Sequence, residues 1–159
     1  MNILDLSNRR GAIVHMLPQI YKLFKADGID LPNIILWTQD MRRSVIDINR
    51  KWIFALQGTS NVHGLMFYRV GADGKSIYVD HLVSSQSAII DALLKKFEQS
   101  DLVKGAEAFY LGREIKREAK EEAMSSVGLQ DDSVFNDEGY QFIGGTKEIL
   151  AALKLRYMK

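Results

Sequence analysis

One stretch, residues 61–112, constrains the fold more than any other part of the chain. It opens with two apolar runs, residues 62–70 and 77–83, which flank a short segment containing Asp73 and Gly74. An Asp-Gly pair between two apolar runs of this length is typical of a β-hairpin. We therefore expect two antiparallel strands here.

A helix and a third strand follow the hairpin. Residues 88–97 place their large apolar side chains at the spacing of a single helical stripe, at Ile89, Ile90, Leu93, Leu94 and Phe97. The apolar run of residues 108–111 then predicts a strand. A strand, a covering helix and a second strand usually form a right-handed parallel crossover. The sequence therefore predicts a mixed sheet.

The segments before this stretch predict one strand, two helices and a second strand. Residues 3–6 favour a short strand, and Ser7 or Asn8 is expected to cap a helix that runs through residue 25, kinked or divided at Pro18. A second helix is expected from Asn33, with Ile34, Trp37, Met41, Val45 and Ile48 on one face. Residues 52–56 are apolar on both alternating faces, which is typical of a strand buried on both sides.

The segments after this stretch are less regular. Residues 113–127 predict a charged helix, and residues 133–135 and 140–143 predict short strands. In the tail, residues 146–159, amino-acid propensity favours a helix, whereas the alternation of large apolar residues favours a strand. Both interpretations stay open. With no repeat or linker, we expect one domain over residues 1–159.

Composition narrows the function classes. The 159 residues carry a formal net charge of +1, so we expect neither a nucleic-acid polyanion nor an acidic membrane as partner. Cysteine is absent, which excludes disulfides and thiolate metal sites and is compatible with a cytoplasmic location. No spaced set of carboxylates stands out beside the three histidines, so we expect no metal site.

The order of elements resembles that of the acyl-CoA N-acyltransferases of the GNAT superfamily. Three motifs add to the likeness: Val62-His63-Gly64-Leu65-Met66, Tyr78-Val79-Asp80-His81-Leu82-Val83, and the pair Leu93-Leu94. The resemblance implies an α/β fold with a mixed, mostly antiparallel central sheet flanked by helices. It also implies transfer of an acyl group from acetyl-CoA, or a related thioester, to a primary amine of a small molecule or a peptide.

The phosphate-binding signature of that family is not reproduced. Its arginine or glutamine and its two glycines would correspond to Ser85, Ala88 and Ile90, and its frequent tyrosine acid falls near Met124. A helix N-terminus still attracts anions through unpaired amides and a partial positive charge of about half a unit. We therefore expect the turn to bind phosphate, while Leu82 and Val83 align the pantetheine arm as the resemblance implies. The residues of the turn are Ser84, Ser85, Gln86, Ser87 and Ala88. The simpler alternative is that Ser87 only caps the helix.

Two neighbouring residues are candidates for the catalytic base. Asp80 is favoured by the resemblance, whereas His81 has the more suitable ordinary pKa, about 6.5. Strand alternation predicts that the two side chains lie on opposite faces of the sheet, so only one of them can face a given cleft. Each has a purely structural alternative, as a polar residue at a strand edge or a histidine satisfied in the core.

Several further alternatives stay open. Tyr68, Tyr78, Phe109 and Tyr110 line the gap between two strands if the resemblance holds, or simply belong to the core. The protein as a whole could be a non-catalytic binding or interaction module that keeps the fold and has lost the phosphate loop. A third possibility is a homodimer that pairs through the tail from Thr146.

Overall fold

The computed structural model of the chain describes residues 1–113, 136 and 139–158. In this part of the chain a six-stranded sheet has its strands side by side in chain order. Neighbouring strands are antiparallel except β4 and β5, which are parallel. The strands are β1 (Asn2–Asp5), β2 (Arg50–Gln57), β3 (Asn61–Val70), β4 (Ser76–Ser84), β5 (Ala108–Gly112) and β6 (Tyr140–Gly144). The predicted mixed, mostly antiparallel sheet is confirmed.

Helices pack on both faces of this sheet. They are α1 (Arg10–Ala26), α2 (Ile34–Ile46), α3 (Ser87–Gln99), α4 (Asp101–Lys104) and α5 (Thr146–Tyr157). One buried cluster joins α1 and α2 to β2, β3 and the end of β4, and a second joins α3 and α5 to the other face. The apolar stripe predicted for α3 is buried at all its positions, which are Ile89, Ile90, Leu93, Leu94 and Phe97. No helix within the described residues has the length and apolar character needed to cross a membrane.

The start of α1 differs from the prediction. The helix begins after Arg9, and neither Ser7 nor Asn8 caps it. Ser7 is instead buried, and its hydroxyl accepts a hydrogen bond of 2.9 Å from the Trp52 amide, which fixes the loop before α1 to β2. The helix also runs without a break through Pro18, so the predicted division into two helices is wrong. Its five buried side chains hold it to the sheet on both sides of the proline, at Ile13, Met16, Leu17, Ile20 and Phe24.

The second helix is partly as predicted. The Asn33 side chain caps α2 by accepting a hydrogen bond of 3.0 Å from the Leu36 amide. Trp37 and Val45 are buried as expected. Ile34 is 41% exposed and Ile48 is 75% exposed, so these two do not share the buried face of Trp37 and Val45 as predicted. Ile48 lies beyond the end of the helix, where the helical spacing no longer applies.

The ambiguous tail forms a helix. Ile149, Leu153 and Tyr157 are spaced four residues apart and are buried in the cluster beneath the sheet, while Leu155 is 88% exposed. Packing of this face against α3 and β5 favours the helix over the alternating strand. Residues 133–135 and, apart from Arg113, the helix predicted over residues 113–127 lie outside the described residues.

Candidate functional site

The candidate site lies where two parallel strands part. β4 and β5 are paired from Ser76 opposite Ala108 to Val79 opposite Leu111. Beyond Val79, β4 continues along β3 alone, and β5 ends at Gly112. A Cβ atom on Gly112 would lie 3.1 Å from the Val79 carbonyl oxygen, so the absence of a side chain lets the two backbones meet at the branch point. A gap therefore opens beside the second half of β4.

A β-bulge in β4 coincides with this branch point. Phe67 of β3 lies opposite His81, and Tyr68 lies opposite Val79, so Asp80 has no opposite residue. Val79 and Leu82 both point into the cluster beneath α3, and the two residues between them turn to the other face. The prediction that Asp80 and His81 lie on opposite faces is therefore wrong, because the bulge interrupts the alternation on which it depended.

Asp80 is held by side chains from β2 and β6, the strands two places away on either side of β4. The Tyr140 hydroxyl on β6 donates a hydrogen bond to Asp80 Oδ1, and Arg50 Nε on β2 lies 3.4 Å from Asp80 Oδ2. Burial raises the pKa of the Asp80 carboxyl, against the opposing effects of Arg50, the Tyr140 hydrogen bond and Arg69. Burial and the Asp80 charge also raise the pKa of Tyr140, so this phenol keeps its proton at neutral pH.

His81 occupies an aromatic cage on the same face. It is only 1% exposed, and its ring centroid lies 5.3 Å from that of Phe24 and 5.4 Å from that of Tyr157, both edge to face. The Tyr157 hydroxyl lies 3.2 Å from His81 Nδ1. A molecule in the gap would therefore reach Tyr157 before His81.

The gap is a cleft of about 110 Å³. Ile90 of α3, Asp27 after α1, and Arg156 and Tyr157 of α5 form part of its wall. The rest of the wall comes from residues that the sequence predicted for carrier binding, namely Leu82, Val83, Ser84, Ser85, Gln86 and Ser87. Ala88, the remaining predicted residue, lies exposed in the first turn of α3 rather than in this wall.

The turn before α3 is held by its own hydrogen bonds. The Ser85 amide donates to the His63 carbonyl at 3.1 Å, which extends the ladder between β3 and β4 by one step. The Gln86 amide donates to Ser84 Oγ at 3.1 Å, and the Ser84 hydroxyl in turn donates to the Gln86 carbonyl at 2.9 Å. Two of the amides expected to bind an anion are therefore already engaged, that of Ser85 with β3 and that of Gln86 within the turn.

The helix start itself is not capped by a side chain. Gln86 occupies the N-cap position and its side chain makes no capping hydrogen bond, so the alternative that Ser87 caps α3 is wrong. The positive end of the helix thus faces the cleft, together with the Arg156 guanidinium. Arg156 also donates a hydrogen bond of 2.6 Å to the Gly112 carbonyl, which places it across the gap from β4.

The four aromatic residues expected in the gap lie elsewhere. Tyr68 and Phe109 are buried in the cluster beneath α3. Tyr78 and Tyr110 stack on the opposite face with ring centroids 4.6 Å apart. The prediction that they line the gap is wrong, because strand alternation directs each pair to one face of the closed part of the sheet.

Sequence reasoning did not find four residues of the site. Arg50, Tyr140, Arg156 and Tyr157 come from segments remote from β4 in the chain, and nothing in their local pattern marks them. Only the topology brings them to Asp80 and His81. Among the described residues no group of three or more His, Asp or Glu side chains could hold a metal ion.

Comparison with known proteins gives the fold. No family model matches the chain, and no curated protein sequence matches it. Among solved structures, a probable acetyltransferase is 13% identical with a TM-score of 0.53, over 86% of this chain and 95% of the other. A mutant of the spermidine N-acetyltransferase SpeG from Vibrio cholerae is 11% identical with a TM-score of 0.52, over 95% and 97%.

A further match is to a longer protein, which this chain covers only in part. With 70% of its own residues the chain covers 60% of the aminoglycoside 6'-N-acetyltransferase from Enterococcus faecium, at 15% identity and a TM-score of 0.49. The two better matches show that the chain has the GNAT fold.

Proposed function

We propose, with the GNAT fold as the premise, that this protein transfers an acyl group from acetyl-CoA or a related thioester to a primary amine. One observation carries the proposal. The parting of β4 and β5 opens the cleft directly beyond the bulge that carries the Asp80 carboxylate. A sheet can form without a gap between two parallel strands. A reaction between a long acyl carrier and a separate acceptor does need such a gap, because both molecules must reach the same point.

The cleft offers suitable groups for the carrier. The backbone of Leu82 and Val83 lies on the edge of β4 that β5 has left, where an extended chain with amide groups can add to the sheet. The first turn of α3, at Ser87 and Ala88, and the Arg156 guanidinium would attract the phosphates. Ser84, Ser85 and Gln86 would shape the turn around them.

Asp80 is the proposed base. The attacking amine must lose a proton, and the raised pKa of the Asp80 carboxyl brings its basicity closer to that of an effective general base. In the step itself, the amine nitrogen bonds to the thioester carbonyl carbon, the carbon–sulfur bond breaks, and Asp80 accepts the amine proton. The products are an amide and the free thiol of the carrier.

Tyr157 is the proposed acid for the departing thiolate. Its side chain forms part of the cleft wall and its hydroxyl lies 3.2 Å from His81 Nδ1. His81 is thus assigned to orienting Tyr157 rather than to contact with the amine. The tyrosine acid frequent in the GNAT superfamily falls near Met124 in the sequence, and Tyr157 would take its role here.

The acceptor is proposed to be a small-molecule amine or a peptide, and the reaction to take place in the cytoplasm, where acetyl-CoA is available.

The alternative, a non-catalytic module with this fold, loses support because both the cleft and the carboxylate cluster are in place. Its remaining basis is that the Ser85 and Gln86 amides already donate hydrogen bonds, to His63 of β3 and to Ser84.

A thiol-release assay with acetyl-CoA and a panel of primary amines tests this proposal. Asp80→Asn should lower the rate at pH 7 by about 10²–10⁴-fold, because general-base catalysis contributes that much. Asp91→Asn, at a partly exposed aspartate on α3 that pairs with Lys95, is the matched control and should keep the wild-type rate. Binding of acetyl-CoA without thiol release from any amine would support the non-catalytic module instead.

A further inference from the structure

A row of aromatic side chains, half-buried at Tyr78 and Tyr110 and exposed at Phe142, crosses the sheet beside Asp80. We call it the aromatic ladder and define it as Tyr78 of β4, Tyr110 of β5 and Phe142 of β6. The Tyr78 and Tyr110 rings stack at 4.6 Å with an interplanar angle of 15°, and the Tyr110 and Phe142 rings meet edge to face at 5.4 Å. Phe142 is 60% exposed, and none of the three side chains belongs to a buried core cluster.

The ladder continues directly into the carboxylate cluster. The Tyr140 ring lies 5.1 Å from that of Tyr78, and its hydroxyl donates to Asp80. The Arg69 guanidinium lies 5.0 Å from the Tyr78 centroid and 5.4 Å from the Tyr140 centroid. Rings and carboxylate therefore share one face and form a continuous surface from Phe142 to Asp80.

Charge at the inner end of this surface favours one amino group over several. Arg50 lies 3.4 Å from Asp80, and Arg69 is near enough to act on the same carboxylate. Two guanidinium groups beside one carboxylate leave a net positive charge, so a molecule that keeps a second ammonium group after its reacting amine has lost its proton would be repelled. A polyamine is thus a poor match, and the rings favour an aromatic partner for the rest of the acceptor.

We propose that the acceptor is a primary monoamine carrying an aromatic ring, which lies on the aromatic ladder with its amino group towards Asp80. This inference rests on the proposed acyl transfer. The ladder would provide ring stacking for the body of the acceptor, and Asp80 would receive the proton of its amine. An aliphatic amine of the same size would gain the apolar contact without the stacking.

Acylation of four amines with acetyl-CoA tests the inference: 2-phenylethylamine, 2-cyclohexylethylamine, n-butylamine and spermidine. We expect kcat/KM for 2-phenylethylamine to exceed that for 2-cyclohexylethylamine by about 2–10-fold, the range of aromatic pairing beyond area burial. The value for spermidine should be the lowest of the four.

Two substitutions locate the preference. Phe142→Leu keeps apolar bulk and removes a ring, so the ratio of phenyl to cyclohexyl substrate should fall towards one, whereas Phe142→Tyr should retain it. Leu155→Ser, at the 88% exposed position on α5, is the control and should leave the ratio unchanged.

The outcomes separate the two proposals. Equal rates for the phenyl and cyclohexyl amines, or a ratio that Phe142→Leu leaves intact, would overturn the inference and leave acyl transfer standing. Acylation of none of the amines would overturn the proposed acyl transfer and the assigned acceptor together.

Discussion

The two halves of β4 differ in almost every respect. From Ser76 to Val79 the strand is paired with β3 on one side and β5 on the other, and Ile77 and Val79 are fully buried. After Val79 it is bulged, has a strand neighbour on one side only, and carries the two candidate bases Asp80 and His81. The first half is paired on both sides and holds the sheet together, whereas the second half is paired on one side only and carries the candidate catalytic groups.

The bulge lets one strand serve both purposes. Because it shifts the alternation between Val79 and Leu82, Leu82 still reaches the core beneath α3 while Asp80 and His81 turn to the opposite face. A regular strand would bury one of these two residues under α3. Substitutions in the closed half should therefore act on stability, and substitutions in the open half on activity.

Phe109→Ala should give the largest change in stability. Phe109 is fully buried opposite Ile77 in the closed half, so its truncation should lower the free energy of unfolding by about 3–5 kcal/mol. Ser85→Ala, at the exposed turn of the open half, should change it by no more than about 1 kcal/mol. Chemical denaturation measures both. Comparable losses in the two variants would erase the distinction between the halves.

Asp80→Asn should separate activity from stability through pH. Burial raises the folded-state pKa of Asp80 above its unfolded value of about 3.9, so the folded protein holds this proton more tightly. Its contribution to stability is complete below the unfolded pKa and is lost as the pH rises through the folded pKa. Activity should rise through that same pKa, because the base must be ionised.

Unfolding experiments and rate profiles across this range check the linkage. In Asp80→Asn, kcat/KM should no longer decrease at acidic pH. The free energy of unfolding should also decrease less as the pH rises. An acid limb that survives in Asp80→Asn would assign the base to another group.

Gly64→Ala should show how closely α3 must approach the open half. A Cβ atom at Gly64 would lie 2.9 Å from Ile89 Cγ2 and 3.1 Å from the Val83 carbonyl oxygen. Overpacking of this kind should lower the free energy of unfolding by about 1–3 kcal/mol and shift the start of α3. Gly11→Ala, where a Cβ atom would have no neighbour within 4 Å, is the control and should leave stability equal or slightly higher. Equal changes in the free energy of unfolding for Gly64→Ala and Gly11→Ala would mean that the Ile89 side chain moves aside without loss of stability.

The sequence predicted the closed half better than the open half. Alternation and helical spacing identified the hairpin, α3 and β5, because these elements follow a regular period over most of their length. The bulge could not be predicted, since it depends on the register between β3 and β4 rather than on any local pattern. For the same reason Tyr140, Arg156 and Tyr157 were missed, as only the packed sheet and α5 bring them to the cleft.

The turn before α3 lies between these two cases. The sequence correctly placed Ser84, Ser85, Gln86 and Ser87 together at the start of a helix, and the structure adds which of their amides are already engaged. Their binding role stays a prediction. Because the Ser85 and Gln86 amides are engaged, phosphate binding is expected to depend more on the Arg156 guanidinium and the first turn of α3 than on the turn before the helix.

Calorimetric titration of acetyl-CoA is the most direct test of whether this cleft holds the acyl carrier. We predict saturable binding with one site per chain. Arg156→Gln should weaken it about tenfold, as loss of a charge-assisted phosphate contact does, while Lys154→Gln, an exposed cation two residues earlier on α5, should leave it unchanged. Absence of binding, or binding that Arg156→Gln does not weaken, would contradict a carrier site between β4 and β5.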